Sequence, residues 1–169
     1  MNLSGATLND EQFLEFVLTE IAAAELSPGA LCFEITEAGA MTSLSAATRF
    51  IDALRSRGCL FALDDFGSGL SSFMFLRNLP VDFLKLDGQF MQNVAHDHID
   101  RSMVGAIAQV SETMGIRTIA ERVDSAEVLA RLADVGIQYA QGNYIGAPLP
   151  VEVLESLVAD EPSVVRLTG

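Results

Sequence analysis

Residues 60–73, Leu60-Phe61-Ala62-Leu63-Asp64-Asp65-Phe66-Gly67-Ser68-Gly69-Leu70-Ser71-Ser72-Phe73 (LFALDDFGSGLSSF), decide how the rest of the sequence is read. Four apolar residues run into two adjacent acids, and then into a loop with two glycines and three serines. The apolar part suits a buried strand. Burying a carboxylate without a partner is unfavourable, so the two acids at its end require a compensating group.

The same pattern repeats outward in both directions. LCFEIT (31–36), VDFLKLD (81–87), IRTIAE (116–121) and IQYAQG (137–142) are likewise apolar runs that finish in polar residues. Between them lie amphipathic segments. Leu44 to Arg57 places Ala47, Phe50, Ile51 and Leu54 on one helical face and stops at Gly58. Ile99 to Met114 ends at Gly115, Ser125 to Val135 is capped at Gly136, and SSFMFLRNLP is a short helix closed before Pro80. An opening helix follows Asn9-Asp10-Glu11 and is ended by Ser27-Pro28-Gly29, and a last one covers 150–159. The 169 residues suit one domain, 1–160, followed by a C-terminal tail, 161–169.

Strands separated by helices imply parallel pairing through right-handed crossovers, in a barrel or a doubly wound sheet. The strand ends favour the barrel. They carry Glu34 and Glu37, Asp64 and Asp65, Lys85 and Asp87, Glu121, and Gln141, which a parallel barrel gathers at one rim. A doubly wound sheet would concentrate them near one switch point. No G-x-G-x-x-G fingerprint follows any strand, so a dinucleotide cofactor is not supported.

Ten Lys and Arg against 23 Asp and Glu give a net charge of −13, which repels a nucleic-acid polymer. Apolar runs fall far short of the roughly 20 residues that cross a bilayer, and Met1-Asn2-Leu3-Ser4 lacks a basic start. A cytoplasmic protein without membrane insertion is expected. Cys32 and Cys59 each sit in an apolar run and read as buried thiols.

Carboxylates converging on one mouth repel each other unless a cation sits among them. Oxygen-rich clusters suit Mg²⁺ or Mn²⁺, and two such ions can clamp a phosphodiester. Lys85 would add a donor for a water or a phosphate oxygen. Each residue also has a purely structural role open to it. A strand-end acid can cap a helix, and Asp87 can bridge Lys85 or cap the segment after it. Lys85 can snorkel. Gly67 and Gly69 can serve a tight turn, with Ser68, Ser71 and Ser72 capping the next helix. His96 and His98 lie in a polar loop, and Met74, Phe75, Met91 and Met114 read as packing residues.

The order NLSG (2–5), FEITE (33–37), DDFGSGLSS (64–72), LKLD (84–87), IAERVD (119–124) and QGNYIG (141–146) closely resembles the EAL family of bacterial cyclic di-GMP phosphodiesterases, from Asn2 to about residue 150. The resemblance implies a modified TIM-type barrel that hydrolyses cyclic di-GMP to its linear dinucleotide with Mg²⁺ or Mn²⁺. It puts Asn2, Glu34, Asp64 and Glu121 on metal-binding positions and Asp65 on the position reaching the second metal. Lys85 matches the lysine that orients the attacking water, Glu37 the glutamate that holds the DDFG loop, and Gln141 a polar rim position. The loop Gly67-Ser68-Gly69 would move over the substrate and couple to dimerisation.

Three features depart from the family. Its signature strand, with the E-A-L glutamate and a phosphate-binding arginine, normally precedes NLSG, and only Met1 does so here. Arg122 and Asp124 stand where A-E-G-V-E is usual, and Leu70 replaces a common aromatic. The resulting expectation is an α/β fold, an incomplete TIM-type barrel with mainly parallel strands. Its open edge at LCFEIT would be covered by a second copy of the chain. Function is then expected to be that of a regulatory or binding module, truncated at the N-terminus and impaired in catalysis. Such a module would bind a partner protein or, weakly, cyclic di-GMP, with Mg²⁺ or Mn²⁺ as the cofactor at weakened occupancy. The alternatives are active metal-dependent hydrolysis and a truncated product that has lost its task.

Overall fold

The structure, a computed structural model, describes residues 1–67, 73–150 and 165–166. These gather into two compact units, Met1–Lys85 with Met114–Ile116, and Leu86–Thr113 with Arg117–Gly169.

The first unit is built on β1 (Asn2–Leu3), β2 (Cys32–Thr36), β3 (Leu60–Phe66) and the start of β4 (Phe83–Leu86), neighbours in the sheet in chain order. β1 pairs parallel with β2 through Asn2 opposite Glu34 and Leu3 opposite Ile35. β2 pairs parallel with β3 from Cys32 opposite Leu60 to Thr36 opposite Asp64. Side chains alternate across a strand, and the alternation sorts this sheet into two chemistries. Phe33, Ile35, Phe61 and Leu63 are buried at 1% exposure or less, whereas Glu34 and Asp64 lie on the opposite face with Asn2.

Helices cover the apolar face. α1 (Glu11–Ala24) starts at Asp10, whose carboxylate accepts the Phe13 N–H. α2 (Glu37–Thr42) and α3 (Leu44–Arg55) come after β2, and α4 (Phe73–Leu76) precedes β4. Phe50, Ile51 and Leu54 of α3 are buried as its spacing predicts, and Phe13 stacks on Phe50 with ring centroids 6.4 Å apart. Gly58, the expected stop after α3, has φ +85, a conformation that side-chain-bearing residues disfavour. Asp82 secures the entrance to β3 by accepting the Phe61 N–H at 2.8 Å and the Arg55 guanidinium at 3.0 Å.

The second unit contains α5 (His98–Thr113), β5 (Arg117–Ala120), α6 (Ala126–Asp134), β6 (Tyr139–Ala140) and β7 (Val165–Arg166). β5 and β6 are parallel, and β7 joins β6 antiparallel. Val165–Arg166 thus forms a strand within the segment read as a tail, while of the helix expected over 150–159 all but the first residue lies outside the described residues. Ser125 caps α6 by accepting the Val128 N–H. Gln138 Oε1 accepts both the N–H and the hydroxyl of buried Thr118, at 2.6 and 2.9 Å, and so extends the β5–β6 pairing with a side chain. Gly142 is required by proximity, because a Cβ there would run into the backbone of Val123.

Met74, read from sequence as a packing residue, is instead 68% exposed, and Met91 is buried as expected. Both cysteines are free thiols. Among the described residues no helix is long and apolar enough to cross a membrane.

Candidate functional site

Lys85 is the centre of the acid face in the first unit. Its Nζ donates to Glu34 Oε2 at 2.9 Å and stands 3.2 Å from Asp64 Oδ1. The lysine side chain is only 4% exposed, against 26% for Glu34 and 15% for Asp64. Register explains the meeting: Glu34 is opposite Ala62, so Asp64, two residues on, projects to the same side. Three charges from three strands therefore share one locus, and Lys85 is an ion-paired buried cation rather than a snorkelling one. The arrangement supplies the compensation that Asp64 needs.

Asp65 breaks the strand alternation. Its φ of +57 is left-handed, a region that Asp tolerates better than most residues. Its N–H is taken by Asp64 Oδ1 at 3.0 Å. Both acids keep a carboxylate oxygen within 4.8 Å of the other's, where a regular strand would send them to opposite faces. Asn2 lies beside Glu34 in the β1–β2 register and is exposed. Glu37 is buried at 5% exposure as the first residue of α2. Thr36, the last residue of β2, caps that helix through the Gly39 N–H at 3.1 Å. Gly67 closes β3, and Ser68 and Gly69 lie outside the described residues.

In the second unit Glu121 and Gln141 stand directly after β5 and β6. The Glu121 N–H reaches the Leu86 carbonyl at 3.3 Å, and the Gln141 N–H reaches that of Ala120 at 2.8 Å. Both side chains are partly exposed. Asp87 caps the short turn Gly88–Met91 by accepting the Gln89 N–H at 2.7 Å, so of its two structural roles the cap is the one adopted. Arg122, next to Glu121, is left-handed with φ +54. Its stem lies over Gly88, where any Cβ would collide with it. His96 is exposed and stands 3.7 Å from Glu127.

With this geometry in place, the family model for the EAL domain matches residues 1–148. The chain belongs to the EAL domain family. It is 42% identical over 151 residues to cyclic di-GMP phosphodiesterase PdeB of Shewanella oneidensis, a match that covers 89% of this chain and 18% of PdeB. Among solved structures, the FimX EAL domain of Pseudomonas aeruginosa bound to c-di-GMP aligns with a TM-score of 0.82 at 33% identity. That alignment covers 87% of this chain and 60% of the FimX chain. The manganese and cyclic di-GMP complex of Klebsiella pneumoniae BlrP1 gives 0.79 at 28% identity, over 87% of this chain and 38% of BlrP1. The mainly parallel, TIM-type α/β fold expected from the strand ends is the fold of these EAL domains.

Besides the strand Val165–Arg166, two features of this EAL domain escape a reading of the sequence. The helix α2 is only six residues long, too short for periodicity to reveal, although Thr36 and the acid after it are a helix-start signal. The fit of Arg122 over Gly88 joins two separate segments of the chain, and neither position announces the other.

Proposed function

We propose that this EAL domain binds cyclic di-GMP and hydrolyses it to the linear dinucleotide, with Mg²⁺ or Mn²⁺ held by Asn2, Glu34, Asp64, Asp65 and Glu121. The observation that carries the reading is Lys85 between Glu34 and Asp64, because two carboxylates converging on one buried cation form a locus of hard oxygen donors. The family resemblance adds Glu121 and Asn2 to that set. Bound ions would polarise the phosphodiester and lower the pKa of water. The resemblance assigns Lys85, a buried cation with three donors, to orienting the attacking water. Asp65 stays close to Asp64 by virtue of its left-handed backbone, and Glu37 with Gly67 would fix the loop after β3. Ser68, Gly69 and Gln141 complete the ligand-facing set on the resemblance alone.

A second reading, binding with impaired turnover in a regulatory module, is favoured by Arg122 standing where the family usually has glycine. Turnover of cyclic di-GMP with Mn²⁺ or Mg²⁺, measured beside calorimetric binding, separates the two. Hydrolysis that Asp64→Ala lowers by several orders of magnitude is the expected result. Binding without turnover establishes the second reading, and neither binding nor turnover removes both. Self-association belongs to the same proposal, since β1 is two residues long and pairs with β2 at Glu34 and Ile35, and a second copy would cover what so short a strand leaves of that edge. A sedimentation coefficient that stays monomeric at micromolar concentration would refute it.

A further inference from the structure

Arg122 combines three properties that do not belong together in a merely structural residue. It occupies a left-handed conformation, φ +54, that glycine would adopt without strain. Its aliphatic stem is housed by Gly88, where a Cβ would sit 3.0 Å from Arg122 Cβ and closer still to Cγ and Cδ. The residue is nevertheless exposed, and among the described residues its guanidinium makes no ion pair or side-chain hydrogen bond. Acids are close in sequence, since Glu121 precedes it and Asp124 stands two residues on. Among the described residues Arg57 and Arg77 are likewise exposed without an ion pair or side-chain hydrogen bond, so what singles Arg122 out is the left-handed backbone together with the fit over Gly88.

Backbone strain at a rim position is retained when something compensates for it. Both ends of the Arg122–Gly88 contact lie just past the C-terminal ends of β4 and β5, the end that carries Glu121. A planar guanidinium there offers paired donors matched to the oxygens of a phosphate group.

We propose that Arg122 is a ligand-binding residue of this chain, whose guanidinium, steered by the missing Cβ of Gly88, holds a non-bridging phosphate oxygen of cyclic di-GMP. The assignment rests on the reading that this domain binds that dinucleotide. It makes Gly88 a positioning residue, because Gly88 acts on the ligand only through the stem of Arg122.

The test is calorimetric titration of cyclic di-GMP with Mn²⁺ present into the full chain and the variants Arg122→Gly, Arg122→Lys, Gly88→Ala and the Arg122→Gly/Gly88→Ala double variant. Thermal melts serve as the folding control. Arg122→Gly should weaken binding roughly tenfold or more, the size of one charge-assisted hydrogen bond, with no loss of melting temperature. Arg122→Lys should recover part of that loss. Gly88→Ala should weaken binding in the parent but leave the Arg122→Gly background unchanged. If the parent binds and Arg122→Gly binds equally well or tighter, this assignment is overturned and the proposed function stands. Equal losses from Gly88→Ala in both backgrounds overturn the positioning role. A parent that binds no cyclic di-GMP takes down the proposed function and this assignment together.

Discussion

Two side-chain-bearing residues turn left-handed immediately after a metal-candidate acid, Asp65 after Asp64 and Arg122 after Glu121, with φ +57 and +54. They reach the same backbone state by different means. Asp65 is of a type that tolerates the conformation, and its amide is satisfied by the neighbouring carboxylate. Arg122 is not of that type, and its support comes from Gly88, a residue of another strand's exit, which leaves room for the stem. The two regions also differ in their cations. Lys85 is buried and tied to two carboxylates, whereas Arg122 is exposed. One cation holds the protein's own charges in place, and the other is available to a ligand. Backbone geometry alone does not separate these roles; the surroundings of each cation do.

The strongest way to break this contrast is to remove the buried cation. Lys85→Met should abolish detectable turnover and, without metal, lower stability by about 2–3 kcal/mol, because Glu34 and Asp64 are left facing each other partly desolvated. Chemical denaturation reads the loss, and added Mn²⁺ should recover part of it by neutralising the same oxygens. An unchanged midpoint would mean that the three charges are not interdependent.

Next in size is the pair Arg122→Ala and Arg122→Gly. The glycine variant should be the more stable by about 1 kcal/mol, the usual penalty for a Cβ in a left-handed position, and equal stabilities would show that the turn relaxes. Asp65→Asn should melt within about 0.5 kcal/mol of the parent, since Asn also tolerates this conformation, yet lose most of its turnover. A variant that melts much earlier would assign Asp65 a structural role instead.

The smallest effect concerns Cys32, on β2 near Glu34. Burial, and then the negative charge of Glu34, push its thiol from 9.0 up to about 11. Between those values the unfolded chain gives up the proton while the folded chain keeps it. The folded state then binds more protons, and stability declines as pH rises through that window. Cys32→Ala should flatten the alkaline limb of the stability profile, and Glu34→Gln should speed alkylation of Cys32 in the folded protein.

Much of the fold is legible in the sequence itself. The strands at 32–36, 83–86 and 117–120 fall inside the runs read from apolar character, and that at 60–66 starts in such a run and outlasts it by way of Phe66, because a strand buried on one face and closed by a turn writes both facts into consecutive residues. Glycine stops and serine caps locate helix ends for the same reason: they are local. That Glu34, Asp64 and Lys85 gather at one rim is readable from the strand ends, but their direct pairing is not, since it depends on register between separate strands. The left-handed turns at Asp65 and Arg122 are not readable at all. Neither residue type demands positive φ, and the space that admits Arg122 is recorded at Gly88, in a different segment. The division of the described chain into two compact units is equally a matter of three-dimensional contacts that no composition shift marks.

Thr36 does double duty, closing β2 and opening α2 with its hydroxyl. No loop residue separates strand from helix, so the backbone between Glu34 and Glu37 has no slack to absorb movement. A pull on the first turn of that short helix is delivered to the carboxylate beside Lys85 as a displacement, in the manner of a lever with no hinge.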